Sequence, residues 1–139
     1  MITIDTAAFR CINPEALYDP TPNGYSHVAV IQPNMRIIHI AGQGGENKKG
    51  ELSPNFDQQL QQVFYNIEIA LYSAQAKFKD IAVLRVLIVD HNAEKLQILT
   101  DAILNIWKKS PLPVCTLIPV PCLALKDMQV EIEATAYTA

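Results

Sequence analysis

Apolar and polar side chains alternate near the end of the chain. Within residues 128–136, Val130, Ile132, Ala134 and Ala136 share one parity, while Glu131 and Glu133 share the other. Strand side chains alternate faces, so this pattern predicts a half-buried strand with acids on its open side. Just before it, residues 114–120 form a second, largely apolar run. A third run, residues 81–89, is apolar at both parities except for Arg85, as in a central strand covered on both faces. Between these stretches the period lengthens. Positions 56, 60, 63, 64, 67, 71 and 74 are apolar at helical spacing. Ser53-Pro54 precedes them and predicts an N-cap followed by a first-turn proline. Leu96, Leu99, Ile103, Ile106 and Trp107 mark the buried face of a second helix. Asn92 is its expected N-cap, Lys108-Lys109 stand in its expected last turn, and Pro111 stops it.

Upstream, residues 27–32 and 36–41 are β-rich runs split by Pro33-Asn34, which predicts a hairpin. A short strand is expected near residues 2–4, followed by an irregular lead-in containing Pro14, Pro20 and Pro22. The order is therefore β-β-α-β-α-β-β. Crossovers through helices imply parallel pairing and flanking hairpins imply antiparallel pairing, so the sheet is mixed and the class α+β. Two helices cover one face of such a sheet. The apolar residues left on the other face predict that it meets another copy of the chain.

Composition narrows the function. The 139 residues suit one domain spanning 1–139. The net charge of −3, without a basic run, argues against a protein that tracks nucleic-acid phosphates. The N-terminal stretch has an early Asp5 and no long apolar run, so it does not read as a signal peptide. No stretch approaches the ~20 apolar residues of a membrane span. Cys11, Cys115 and Cys122 are odd in number and form no C-x-x-C, which predicts reduced thiols in the cytoplasm. His27, His39 and His91 are scattered, with no acid cluster at ligand spacing, so no metal site is expected. Gly42-Gln43-Gly44-Gly45 permits close backbone approach to a ligand. Glu46 and Asn47 follow where a phosphate loop needs Lys and Ser or Thr, and a flexible strand exit is the commoner use of such a run.

Several of these residues, in this order, resemble the YjgF/RidA family, also called the L-PSP endoribonuclease family. They are Gly24-Tyr25-Ser26-His27, Ala41-Gly42-Gln43, Gln59, Asn66, Val89-Asp90-His91-Asn92 and the closing Val130-Glu131-Ile132-Glu133-Ala134. The resemblance spans nearly the whole chain. It implies a chorismate-mutase-like fold and a homotrimer with three intersubunit clefts. It also implies hydrolysis of 2-imino or 2-enamino acids to 2-oxo acids with release of ammonia, without metal or cofactor. By position it carries over Tyr25, the Gly42 backbone and Asn92 as cleft-lining groups. Glu131 and the backbone at Leu117 carry over as the groups that hold the attacking water.

The departure from this pattern is at Cys115. Where active family members read Pro-Ala-Arg-(Ser or Thr), this chain reads Pro113-Val114-Cys115-Thr116. The family arginine clamps a substrate carboxylate, and a thiol offers one weak donor and no fixed charge. Losing the clamp predicts a loss of roughly 10²-fold or more in binding small imino acids. Gln75 and Pro119 stand where glycine is usual or common in the family. Cys115 is either a nucleophile, which would require a nearby base or cation, or a small buried side chain in place of an unneeded arginine. Arg85 and Arg36 are the possible substitute anchors, and an interface role is the commoner use of an arginine such as Arg85. Glu131 is either a water-positioning group or an interface acid, and Glu133 reads as a structural partner. Tyr25 either stacks on a ligand or packs at the cleft edge. Three functional readings remain: an imine or enamine hydrolase of altered range, a non-catalytic cleft that binds a metabolite or protein, and, least favoured, a ribonuclease acting on single strands.

Overall fold

The structure is a computed structural model describing residues 7–139. The strand expected near residues 2–4 lies outside the described residues. The elements are β1 (Phe9–Ile12), β2 (Val28–Ile31), β3 (Arg36–Gln43), α1 (Phe56–Ser73), β4 (Ile81–Val89), α2 (Ala93–Trp107), β5 (Val114–Val120) and β6 (Val130–Thr138). They form a four-stranded mixed sheet of order β3-β6-β4-β5, with a separate β1-β2 ribbon. β4 and β5 run parallel, joined through α2, while β6 is antiparallel to both β3 and β4. Both helices pack on one face of this sheet, and α1 crosses β3 and β6 beside α2.

Two expected hairpins do not form. β2 pairs with β1, from Phe9↔Ile31 to Ile12↔Val28, and not with β3. Asn34 turns the chain with φ 62°, but β3 finds its partner in β6. Likewise β5 and β6 are not neighbours, because β4 lies between them. The physical reason is visible in β6. Val130, Ile132, Ala134 and Ala136 are buried against the helices, and a nine-residue strand hydrogen-bonds on both edges. The connection through residues 121–129 is also longer than a tight turn.

The helix boundaries follow local chemistry. α1 is capped by Asn55, whose side chain accepts from Asp57 N at 3.1 Å, and not by the expected Ser53. The Ser53 hydroxyl is engaged instead, bonding to Gln58 Oε1 at 2.6 Å and accepting from Asn55 N at 3.1 Å. Asn92 caps α2 as expected, accepting from Lys95 N at 2.8 Å. That helix ends at Trp107, so Lys108 and Lys109 stand beyond it, with Lys108 at φ 53° closing the last turn on Leu104 O.

The core forms between the helices and the covered sheet face. Leu60, Val63, Ile67 and Leu71 of α1 meet Leu84, Val86 and Ile88 of β4 and Ile132 of β6. Phe64, Phe78 and Trp107 close one end edge-on or tilted. The opposite face carries exposed Ile37, Val83 and Ile118 between the polar Arg85, Thr116, Glu131 and Glu133. It therefore mixes apolar and charged groups, as Arg85 alone had foreshadowed.

Candidate functional site

Glu131 and Gly42 meet on the open face. Along β3 the pairing passes from Ile40↔Ala134 to Gln43↔Ile132, which leaves one extra residue on β3. Such a bulge kinks the strand and redirects what lies next to it. Here it brings the Gly42 backbone against the Glu131 side chain, so that a Cβ on Gly42 would stand 2.7 Å from Glu131 Cδ. Only a residue without a Cβ allows this approach. Glu131 is half-buried, and among the described residues its carboxylate has no ion-pair or side-chain hydrogen-bond partner. The two residues line a hollow of about 350 Å³ together with Arg85, Leu87, Ile118 and Glu133. Arg85 bonds to Glu133 at 2.9 Å, an exposed pair of the kind that contributes little to stability. Thus Glu133 has the structural partner expected of it, and Arg85 stands beside Glu131.

Tyr25, Cys115 and Leu117 meet elsewhere. Parallel register pairs Cys115 with Leu84 and Leu117 with Val86, both buried under the helices. Cys115 and Leu117 therefore face α2, on the side of the sheet opposite Glu131. They line a pocket of about 440 Å³ with Tyr25, Leu96, Thr100 and Ile103. Local bonding explains how Tyr25 reaches this edge. Buried Ser26 donates its backbone N–H to Pro113 O at 3.0 Å and bridges Val114, and Cys11 Sγ donates to Leu112 O at 3.2 Å. Gly24, at φ 83°, makes a turn that disfavours any side chain, and a Cβ added there would stand 3.6 Å from Ile103 and Thr100 O. The Tyr25 ring rests edge-on to His27, whose Nε2 lies 2.9 Å from Tyr18 O.

Burial pushes the Cys115 thiol up to about 12, so it stays protonated at neutral pH. Of its two readings, the small buried side chain fits this environment, because a nucleophile needs the thiolate. Burial likewise raises Cys11, against a hydrogen bond from Ser26. Asn92 lines neither hollow. Its side chain is committed to capping α2, one turn before Leu96. The Arg36 guanidinium donates to Ala74 O at the end of α1, which ties it down as a helix-end group. Among the described residues no cluster of three His, Cys, Asp or Glu could hold a metal ion.

A larger cleft, about 860 Å³, lies among the loops and contains none of the expected site residues. Gln59 and Asn66, two of the residues behind the family resemblance, prove to be loop anchors. Fully buried Gln59 donates to Ser53 O and Asp127 O at 2.7 and 2.9 Å and accepts from Gln129 N at 2.9 Å. Asn66 donates to Gly44 O and Glu46 O at 3.0 and 2.9 Å. Sequence reasoning missed Thr100 as a pocket residue. Its signal was a polar residue on the otherwise apolar stripe of α2.

Comparison with known proteins gives a consistent answer. The Endoribonuclease L-PSP family model matches residues 18–138. Among solved structures, the chain is 35% identical to YyfB from Yersinia pestis, described as a protein of unknown function of the conserved Rid protein family. That match has a TM-score of 0.88 and covers 93% of this chain and 98% of that one. RidA from the Antarctic bacterium Psychrobacter sp. shares the fold at 22% identity and TM-score 0.66, over 83% of this chain and 94% of that one. E. coli TdcF, solved with bound serine, does so at 18% identity and TM-score 0.66, over 85% and 95%. Comparison with curated proteins gives no match.

Proposed function

The chain belongs to the Endoribonuclease L-PSP, or Rid, family, and on that footing we propose that it hydrolyses small reactive imines or enamines, with a substrate range altered by Cys115. The observation that carries this reading is the unpaired Glu131 carboxylate held open against the Gly42 backbone. A carboxylate in that setting can orient a water and take its proton. The water oxygen adds to the C=N carbon and the proton passes to nitrogen. The resulting carbinolamine then expels ammonia and leaves a carbonyl compound. No cofactor is required by that balance.

The same reading explains why the expected site residues fall on opposite faces of the sheet. Tyr25, Cys115 and Leu117 open toward α2, and Gly42 and Glu131 open toward the bare face. One copy's bare face brought against a neighbour's β5 edge joins both halves, so the working form is a homotrimer with its clefts between subunits. Exposed Ile37, Val83 and Ile118 on the bare face support this. The three free thiols suit a cytoplasmic setting. A small ligand held in this fold has a parallel in the serine bound by E. coli TdcF.

A second reading, a non-catalytic trimer that binds a metabolite, is favoured by Cys115 itself, which supplies no fixed charge to hold a carboxylate. Ammonia release from freshly generated imines separates the two. The panel includes 2-iminobutyrate and 2-iminopropionate together with uncharged imines. Turnover of any member that disappears in Glu131→Gln supports the hydrolase. Release no faster than buffer across the whole panel refutes it and leaves the binding module. Cleavage of single-stranded RNA, the activity in the family's name, fits poorly with a net charge of −3.

A further inference from the structure

The pocket under α2 has a chemical character of its own. Its walls include Leu96, Leu99, Ile103 and Leu117, and its polar groups include the Tyr25 hydroxyl, the Cys115 thiol and the Thr100 hydroxyl, which donates to Asn23 O at 3.4 Å. No Lys or Arg lines it. The nearby cations are engaged elsewhere. Arg85 lies on the bare face, so in the trimer proposed above a neighbour's Arg85 reaches this pocket already bonded to Glu133 and accompanied by the Glu131 carboxylate. Arg36 closes the end of α1. Lys95 donates to Val89 O and Asp90 O at 2.8 and 3.0 Å and stands over the Phe56 ring. An ionised carboxylate placed here would lose its hydration with no counter-charge to replace it.

We infer that this pocket takes an uncharged, mainly apolar ligand, of the class of an aliphatic or aryl ketone or its imine, held by the Tyr25 hydroxyl and not by a cation. The inference rests on the reading above only in taking this pocket as the ligand's seat. The volume of about 440 Å³ suits such a molecule, since small-ligand pockets run from roughly 300 Å³ upward. The protonated thiol of Cys115 is consistent with it, because the thiol adds neither a positive charge that would attract an acid nor a negative one.

A matched pair of ligands tests this. Phenylacetone and phenylpyruvate differ in a methyl group replacing a carboxylate. Titration calorimetry or ligand-observed NMR on the full chain should show the neutral ketone binding about tenfold tighter or better. Cys115→Arg should reverse that preference. Leu96→Lys, at a half-exposed position on the pocket rim, should narrow it and serves if the buried arginine prevents folding. Equal or tighter binding of phenylpyruvate by the native chain overturns the inference. The imines of the same two ketones then separate this inference from the enzymatic reading. Selective binding of the neutral ketone without ammonia release keeps the ligand class and removes the hydrolase. Ammonia release from the carboxylated imine at the higher rate removes the ligand class and keeps the hydrolase.

Discussion

Two glycines, Gly42 near the end of β3 and Gly45 just beyond it, should respond to alanine in opposite ways. At Gly42 a new Cβ meets Glu131, with Cδ and Cγ at 2.7 and 2.9 Å. Those atoms end a flexible side chain, which can swing away for about 0.5–1.5 kcal/mol of rotamer strain. At Gly45 the new Cβ meets Gln59 Cβ at 2.8 Å and Gln59 Cα and O at 2.9 Å. That is helix backbone, fixed by the bonds of α1 and by the three hydrogen bonds of the Gln59 side chain. Overpacking against such a wall costs about 2–3 kcal/mol. Urea denaturation of both variants should therefore leave Gly42→Ala within about 1.5 kcal/mol of the native chain and destabilise Gly45→Ala by about 2–3 kcal/mol. Activity should order the other way. In the proposed reaction Glu131 orients the water, and displacing such a group by about 1 Å costs on the order of 10²-fold in turnover. Gly42→Ala should then lose most ammonia release from whichever imine the native chain accepts, while Gly45→Ala keeps it below its unfolding transition. The reasoning is refuted if Gly42→Ala unfolds as readily as Gly45→Ala, or if it is stable and turns over at the native rate.

Three further outcomes follow from the same structure. Gln59→Leu removes three bonds to loop backbone and should destabilise by about 3 kcal/mol in urea, and a loss under 1 kcal/mol would show that water replaces those bonds. Gln75 ends α1 at φ 59°, with Ala76 N bonded to Leu71 O and Gln75 N to Tyr72 O, a geometry that favours glycine. Gln75→Gly should therefore raise stability by about 0.5–1 kcal/mol, and thermal unfolding that shows no gain argues against strain at that turn. The Cys115 thiol stands near 9.0 when unfolded and is pushed up to about 12 by burial. The folded chain therefore holds a proton that the unfolded chain releases. Its contribution is complete below pH 9 and is lost as pH rises toward 12, by on the order of 1 kcal/mol at pH 10. Cys115→Val should lack that slope between pH 8 and 10, and identical slopes in both chains would place the thiol in water.

The residues of the closing strand show how far sequence reaches. Strict alternation alone put Val130, Ile132, Ala134 and Ala136 in the core and Glu131 and Glu133 on the other face, because a strand has a fixed side-chain period. Helical spacing likewise placed the buried stripe of α1 and, in α2, Leu99, Ile103 and Trp107, whereas Leu96, expected on that buried face, is half-exposed at its edge; capping chemistry placed Asn92. Local competition was harder to read. Ser53 and Asn55 can each cap a helix, and the choice of Asn55 depends on the Ser53 hydroxyl finding Gln58. Residues 27–32 and 36–41 looked like a hairpin because each was β-rich and a turn lay between them. Their pairing was decided by which distant strand offered the better partner, and sequence spacing does not encode that choice.

The candidate site divides along the same line. Sequence determined which groups are present: a thiol where a guanidinium is usual in the family, carboxylates at Glu131 and Glu133, and a glycine at position 42. Only the tertiary structure decided where they point. Parallel pairing of β4 with β5 turns Cys115 toward α2, and the bulge in β3 brings Gly42 to Glu131 on the other face. Strand parity is a local property fixed by covalent geometry. Register, strand order and the face each strand presents depend on contacts between residues far apart in the chain.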